Sequence, residues 1–166
     1  ADQNRIEFDP PSVHAPVTLD RGDYLELPVT EDFVASGSAA FLVVQFMVGQ
    51  DYFGIGTGND QPGDPAMSTQ VPVEQYRDSY IFLTPDTYQL NYVNVTAPDG
   101  VDVVLDGAPL PVKLQPFGSG AFRAGRVPVT AGTHRMEATR PFGIQVYGLA
   151  PYTSYMYPGG LDVRQI

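Results

Sequence analysis

The chain has 166 residues and a formal net charge of −10, from 9 Lys+Arg against 19 Asp+Glu; its length suits one sizeable core. The absence of cysteine excludes disulfides, thiolate metal sites and a cysteine nucleophile. The acidic balance argues against nucleic acid and anionic membrane surfaces as partners.

Residues 1–16 are polar, carry no signal-peptide pattern and read as a flexible segment. "DYLELPV" (23–29) alternates and predicts a strand. "AAFLVVQFMVG" (39–49) is nearly all apolar, the pattern of a central strand covered on both faces. It is too short to cross a bilayer, so no membrane insertion is expected. "PVEQYR" (72–77) allows one helical turn with Pro72 early. "SYIFLTP" (79–85) and "YQLNYVNVTAP" (88–98) predict strands, and "VDVVLDGAPL" (101–110) predicts a hairpin turning at Asp106-Gly107. "GRVPVTAG" (125–132), "THRMEATR" (133–140) and "FGIQVYGLA" (142–150) follow. In the last, Ile144 and Val146 face one way, Gln145 and Tyr147 the other.

These are about nine strands at roughly ten-residue spacing, punctuated by dispersed Gly and Pro. The fold class is therefore all-β, an antiparallel β-sandwich of jelly-roll type. One sandwich domain is expected over 1–166, with residues 39–48 and 144–147 inside, as a stand-alone unit or one module of a larger surface protein.

The loop over residues 50–67 is rich in glycine and acid. Asp51, Asp60 and Asp64 are oxygen ligands on a flexible loop, which Ca²⁺ prefers; the plainer reading is that they cap their own turns. No other cofactor is expected. Tyr52 and Phe53 are the loop's apolar anchors for a ligand. "GIGTGN" (54–59) lacks the lysine and following helix of a phosphate loop. His14 and His134 come without a GxSxG motif, and His134 reads as a turn-to-strand residue bonded locally. Asn94-Val95-Thr96 lies inside an alternating strand, where an outward polar residue is the simpler reading. "GLAPYTSYMYPGGLDV" (148–163) concentrates tyrosine. Tyr155 and Tyr157 share a face. They either rim the core with their hydroxyls satisfied, or join Tyr152 in an exposed patch for a protein or glycan.

Five stretches carry a resemblance. They are "GDPAMSTQVPVEQYRDSYIFLTP" (63–85), "YVNVTAP" (92–98), "VVLDGAPL" (103–110), "AGTHRMEATRPFGIQVYG" (131–148) and "YTSYMYPGGLDV" (152–163). In this order they resemble the N-terminal domain of the IgGFc-binding protein family, in relatives of bacterial, myxobacterial type. The resemblance runs over about residues 41–163. It implies further β-structure ahead of residue 41, where the pattern shows little. It also implies a non-enzymatic, secreted or cell-surface module and offers no catalytic residue.

Function is accordingly expected to be adhesion: recognition of a protein or glycan through loops at one end of the sandwich. The alternative is a structural subunit of an oligomeric surface assembly or fibre, pairing with copies or a neighbouring domain. A carbohydrate-active hydrolase is the third reading, disfavoured by the lack of tryptophan as a stacking platform.

Overall fold

A computed structural model of the chain describes residues 1–49, 52 and 62–162. Among them are 13 strands and one short 3-10 turn, Val73–Gln75, with Pro72 at its N-cap. The strands are β1 (Asn4–Asp9), β2 (Val17–Leu19), β3 (Val34–Gly37), β4 (Val44–Phe46), β5 (Met67–Thr69), β6 (Arg77–Thr84) and β7 (Leu90–Pro98). They continue as β8 (Val103–Leu105), β9 (Ala108–Pro109), β10 (Gln115–Phe117), β11 (Phe122–Val129), β12 (Gly132–Ala150) and β13 (Thr153–Pro158). Every pairing between named strands is antiparallel, and the fold is an all-β sandwich.

β12 organises it. Its first half pairs β6 on one side and β8 on the other. Its second half pairs β7 and β13. Between Glu137 and Phe142 the register against β6 slips, and there the strand bends from one layer into the next. One layer is β6, β12, β8 and β9; the other is β13, β12, β7, β11 and β10. Their inner faces meet in one cluster. Tyr80, Phe82, Val103 and Met136 come from the first layer, and Val93, Val95, Val127, Ile144 and Val146 from the second. Phe142 sits fully buried at the bend, edge-on to Tyr80 at 5.1 Å between ring centroids. The Tyr80 hydroxyl donates to the Phe142 carbonyl at 2.6 Å and accepts from the Arg77 N–H at 2.9 Å.

Several expectations are met. β6, β7, the Asp106-Gly107 hairpin and the inward Ile144 and Val146 lie where the pattern put them. Both turn residues take positive φ, 51° and 79°, as a two-residue hairpin of matching twist requires.

Four differ. The segment 23–29 forms no strand. The apolar run 39–48 is not central: only Val44–Phe46 is a strand, it pairs only β5, and Leu42 and Phe46 are 70% and 67% exposed. The central places go to β12 and β7, which have strands on both sides and buried side chains facing the core. Residues 133–140 and 142–150 are one strand, not two. Ahead of residue 41, inside the segment expected to be flexible, β1 forms the middle of a three-stranded sheet with β2 and β3. Asp9 ties that sheet to the sandwich, accepting from the Ser119 N–H at 2.7 Å.

Truncating the bend residue, Phe142→Ala, leaves a cavity where both layers depend on one side chain. It should cost about 3–5 kcal/mol, read as a lowered midpoint in urea denaturation with the slope unchanged.

Candidate functional site

One end of the sandwich gathers three connections. The loop that leaves β4 returns to β5 through Pro62 and Gly63, which bridge Pro151. The Gly63 N–H donates to the Ala150 carbonyl at 2.9 Å, and the Asp64 N–H to Ser154 Oγ at 2.8 Å. The loop's root is thus fastened to the β12–β13 turn, Pro151-Tyr152. Tyr152 holds φ at 57°, a left-handed conformation that costs a bulky residue roughly 1 kcal/mol, and is 56% exposed. Tyr52 is 66% exposed, and its N–H donates to the Gly49 carbonyl at 3.0 Å. The third connection is the β6–β7 turn, whose Tyr88 stands edge-on to Tyr155 at 4.7 Å.

Tyr155 and Tyr157 behave differently. Their rings stack on each other at 5.9 Å and pack against the core cluster. The Tyr155 hydroxyl donates to Asn91 Oδ1 at 2.7 Å and that of Tyr157 to the Leu83 carbonyl at 2.5 Å. Gly148 makes room for the Tyr155 ring: a Cβ there would meet its Cε1 at 2.3 Å. Burial, reinforced by the neighbouring Tyr157 and Tyr88 phenols, pushes the Tyr155 phenol up to about 12. Burial also raises Tyr157, partly offset by its hydrogen bond to Leu83. So the structure divides the sequence candidates. Tyr52 and Tyr152 reach solvent, while Tyr155 and Tyr157 rim the core. Phe53, Asp51 and Asp60 lie outside the described residues. Asp64 is exposed at the loop root.

The best-formed polar cluster was only half visible in the sequence. His134, 7% exposed, contacts Asp106 Oδ2 through Nδ1 at 2.7 Å and the Thr130 carbonyl through Nε2 at 2.8 Å. Both oxygens accept, so both contacts are filled when each ring nitrogen carries a proton. Asp106 also accepts the Arg135 N–H at 2.8 Å, and its own N–H donates to the Arg135 carbonyl at 2.8 Å. The Arg135 N–H first, then His134, hold the Asp106 carboxyl below the usual carboxylate range. The cluster ties the β8–β9 hairpin to β12. The Asp-Gly signal marked the turn, but nothing in the sequence paired Asp106 with a histidine 28 residues away.

A depressed carboxyl stabilises the fold above its unfolded value, near 3.9, and that contribution is lost as pH falls through the lower folded value. Asp106→Asn, which tolerates the same positive φ, should be less stable than the parent at neutral pH. The gap should close below about pH 4, as read from urea midpoints across pH.

No helix among the described residues is long and apolar enough to cross a membrane. A family model described as IgGFc binding protein matches residues 1–148. It covers β1–β3 and the sandwich strands as far as residue 148 of β12, and stops short of Tyr152 and β13. No curated protein and no solved structure matches the chain.

Proposed function

The chain belongs to the IgGFc binding protein family, and from that membership we propose a non-enzymatic, extracellular or cell-surface module that holds a protein or glycan at the loop-bearing end of its sandwich. The family description names binding and no reaction. The observation that carries the reading is the fastening of the 50–67 loop to the Pro151-Tyr152 turn, through Gly63 to Ala150 and Asp64 to Ser154. Strands there hold the loop's root, residues 62–64, beside the exposed Tyr152, and recognition modules carry their contacts on loops held by such a scaffold. Left-handed strain at a bulky residue is kept where the surroundings impose it, commonly at ligand contacts. Tyrosine offers large contact area at small entropic loss. Tyr52 and Phe53 belong to the same loop and complete the proposed surface.

The test uses the purified chain against immobilised IgG Fc, the ligand in the family's name, and against a glycan array. Saturable binding to one of them is expected, weakened about tenfold, a typical loss for an interface tyrosine, by Tyr152→Gly. That variant should melt no lower than the parent, since glycine adopts positive φ without strain. Undiminished binding by a folded Tyr152→Gly chain would move the site away from this end. Silence on both probes would sink the recognition reading for these two partner classes.

A further inference from the structure

Among the described residues, β6 pairs β12 along one side only. The direction of its other backbone groups follows from two contacts. The Leu83 carbonyl accepts from the Tyr157 hydroxyl, so it points away from β12. Across the ladder, the Arg135 N–H and carbonyl both bond Asp106 on the β8 side, so Arg135 offers nothing to Ile81 opposite it. N–H and C=O of one residue share a direction that alternates along a strand. Ser79, Ile81 and Leu83 therefore turn their main-chain groups toward that edge; the Leu83 carbonyl is already held by Tyr157, so the groups of Ser79 and Ile81 are the ones left for pairing. Ile81 and Leu83 are 70% and 59% exposed, on the outer face. Alongside lies a cavity of about 300 Å³ lined by Arg77, Ser79, Tyr80, Ile81 and Gly159.

Such edges invite strand addition, and proteins usually blunt them with proline, charge, shortness or cover. Elsewhere in this sandwich that is done. β9 is two residues with Pro109, β10 is three with Pro116, and β13 lies beside β5. From Ser79 to Leu83, β6 has neither charge nor proline. The ends of this edge are acidic. Asp78 and Asp162 line a cavity with Arg77 at its start, the Asp162 N–H donating to the Gln75 carbonyl, and Asp86 follows its end in the sequence. A second copy would bring another net charge of −10 to the same edge.

We propose that the free edge of β6 takes an extended segment of a partner protein as an added strand. That segment has apolar residues at alternate positions beside Ile81 and Leu83 and cationic residues at its flanks. The edge abuts the loop-bearing end at the β6–β7 turn, but its probe and its variants are its own, so either proposal can fail alone.

The probe is a synthetic peptide of alternating valine and threonine with lysines at both ends. Saturable binding to the chain is expected, and a glutamate-flanked version should bind more weakly. Ile81→Pro removes an edge donor without touching the β12 ladder. It should lower affinity about tenfold, the loss of one hydrogen bond with its acceptor left unpaired, at an unchanged melting temperature. Should that variant misfold, Ile81→Lys tests the same edge by setting a cation against the peptide's lysines. Equal binding of a fully N-methylated peptide, or full affinity in the folded variants, would overturn strand addition. Concentration-dependent dimerisation abolished by Ile81→Lys would overturn the choice of occupant in favour of a second copy.

Discussion

The bend in β12 is the constraint on which the rest of the molecule depends. A strand of 19 residues cannot serve two packed layers unless it turns between them, and it turns where it slips against β6. At that point a carbonyl would be buried without a partner. The Tyr80 hydroxyl supplies one at Phe142, while the two rings close the corner edge to face. Burial raises the Tyr80 phenol, partly offset by the Arg77 N–H, so the hydroxyl remains a neutral donor. The polar contact and the apolar packing are made by the same pair of side chains.

The position of the loop-bearing end follows from that bend. Because β12 continues into the second layer, its hairpin with β13 returns beside the β6–β7 turn. Tyr155 can then reach Asn91, which in turn donates to the Pro85 carbonyl at 3.3 Å. Of the two places open to Tyr155 and Tyr157 in the sequence, core rim or exposed patch, they take the rim and close this end from beneath. Their burial gives the turn above them a rigid base. Tyr152, set apart by its positive φ, is 56% exposed on that turn.

Much of this was legible where the signal is local. Asp106-Gly107 demanded a two-residue turn, and Ile144 and Val146 alternated against Gln145 and Tyr147. Other features were hidden for physical reasons. Pro141 reads as a break between two strands, yet β12 runs through it, because at the bend the ladder with β6 has lapsed and no donor is required. The run 39–48 shows that hydrophobicity alone does not assign neighbours. It has the composition of a central strand but only β5 beside it. β1 was missed because one of its buried positions is polar. Asn4, 5% exposed, fills it by accepting the Ala39 N–H at 2.8 Å and donating to the Ala39 carbonyl at 3.0 Å. Periodicity put Tyr155 and Tyr157 on one face, but which face depended on partners 64 and 74 residues away.

Surface charge adds little to holding the fold and more to choosing what the fold meets. Arg5, Arg123, Arg126 and Arg135 are each within ion-pair distance of an acid, with both side chains substantially exposed. Such pairs contribute about 0–1 kcal/mol each, small beside one buried aromatic at the bend. Their larger effect is on the field. With those cations matched locally, the net charge of −10 gives a long-range field that would favour cationic partners over anionic ones. At the loop-bearing end, contact area from tyrosine would decide affinity. At the β6 edge the backbone is indifferent to sequence, so discrimination there falls to the flanking acids and should weaken as salt screens them.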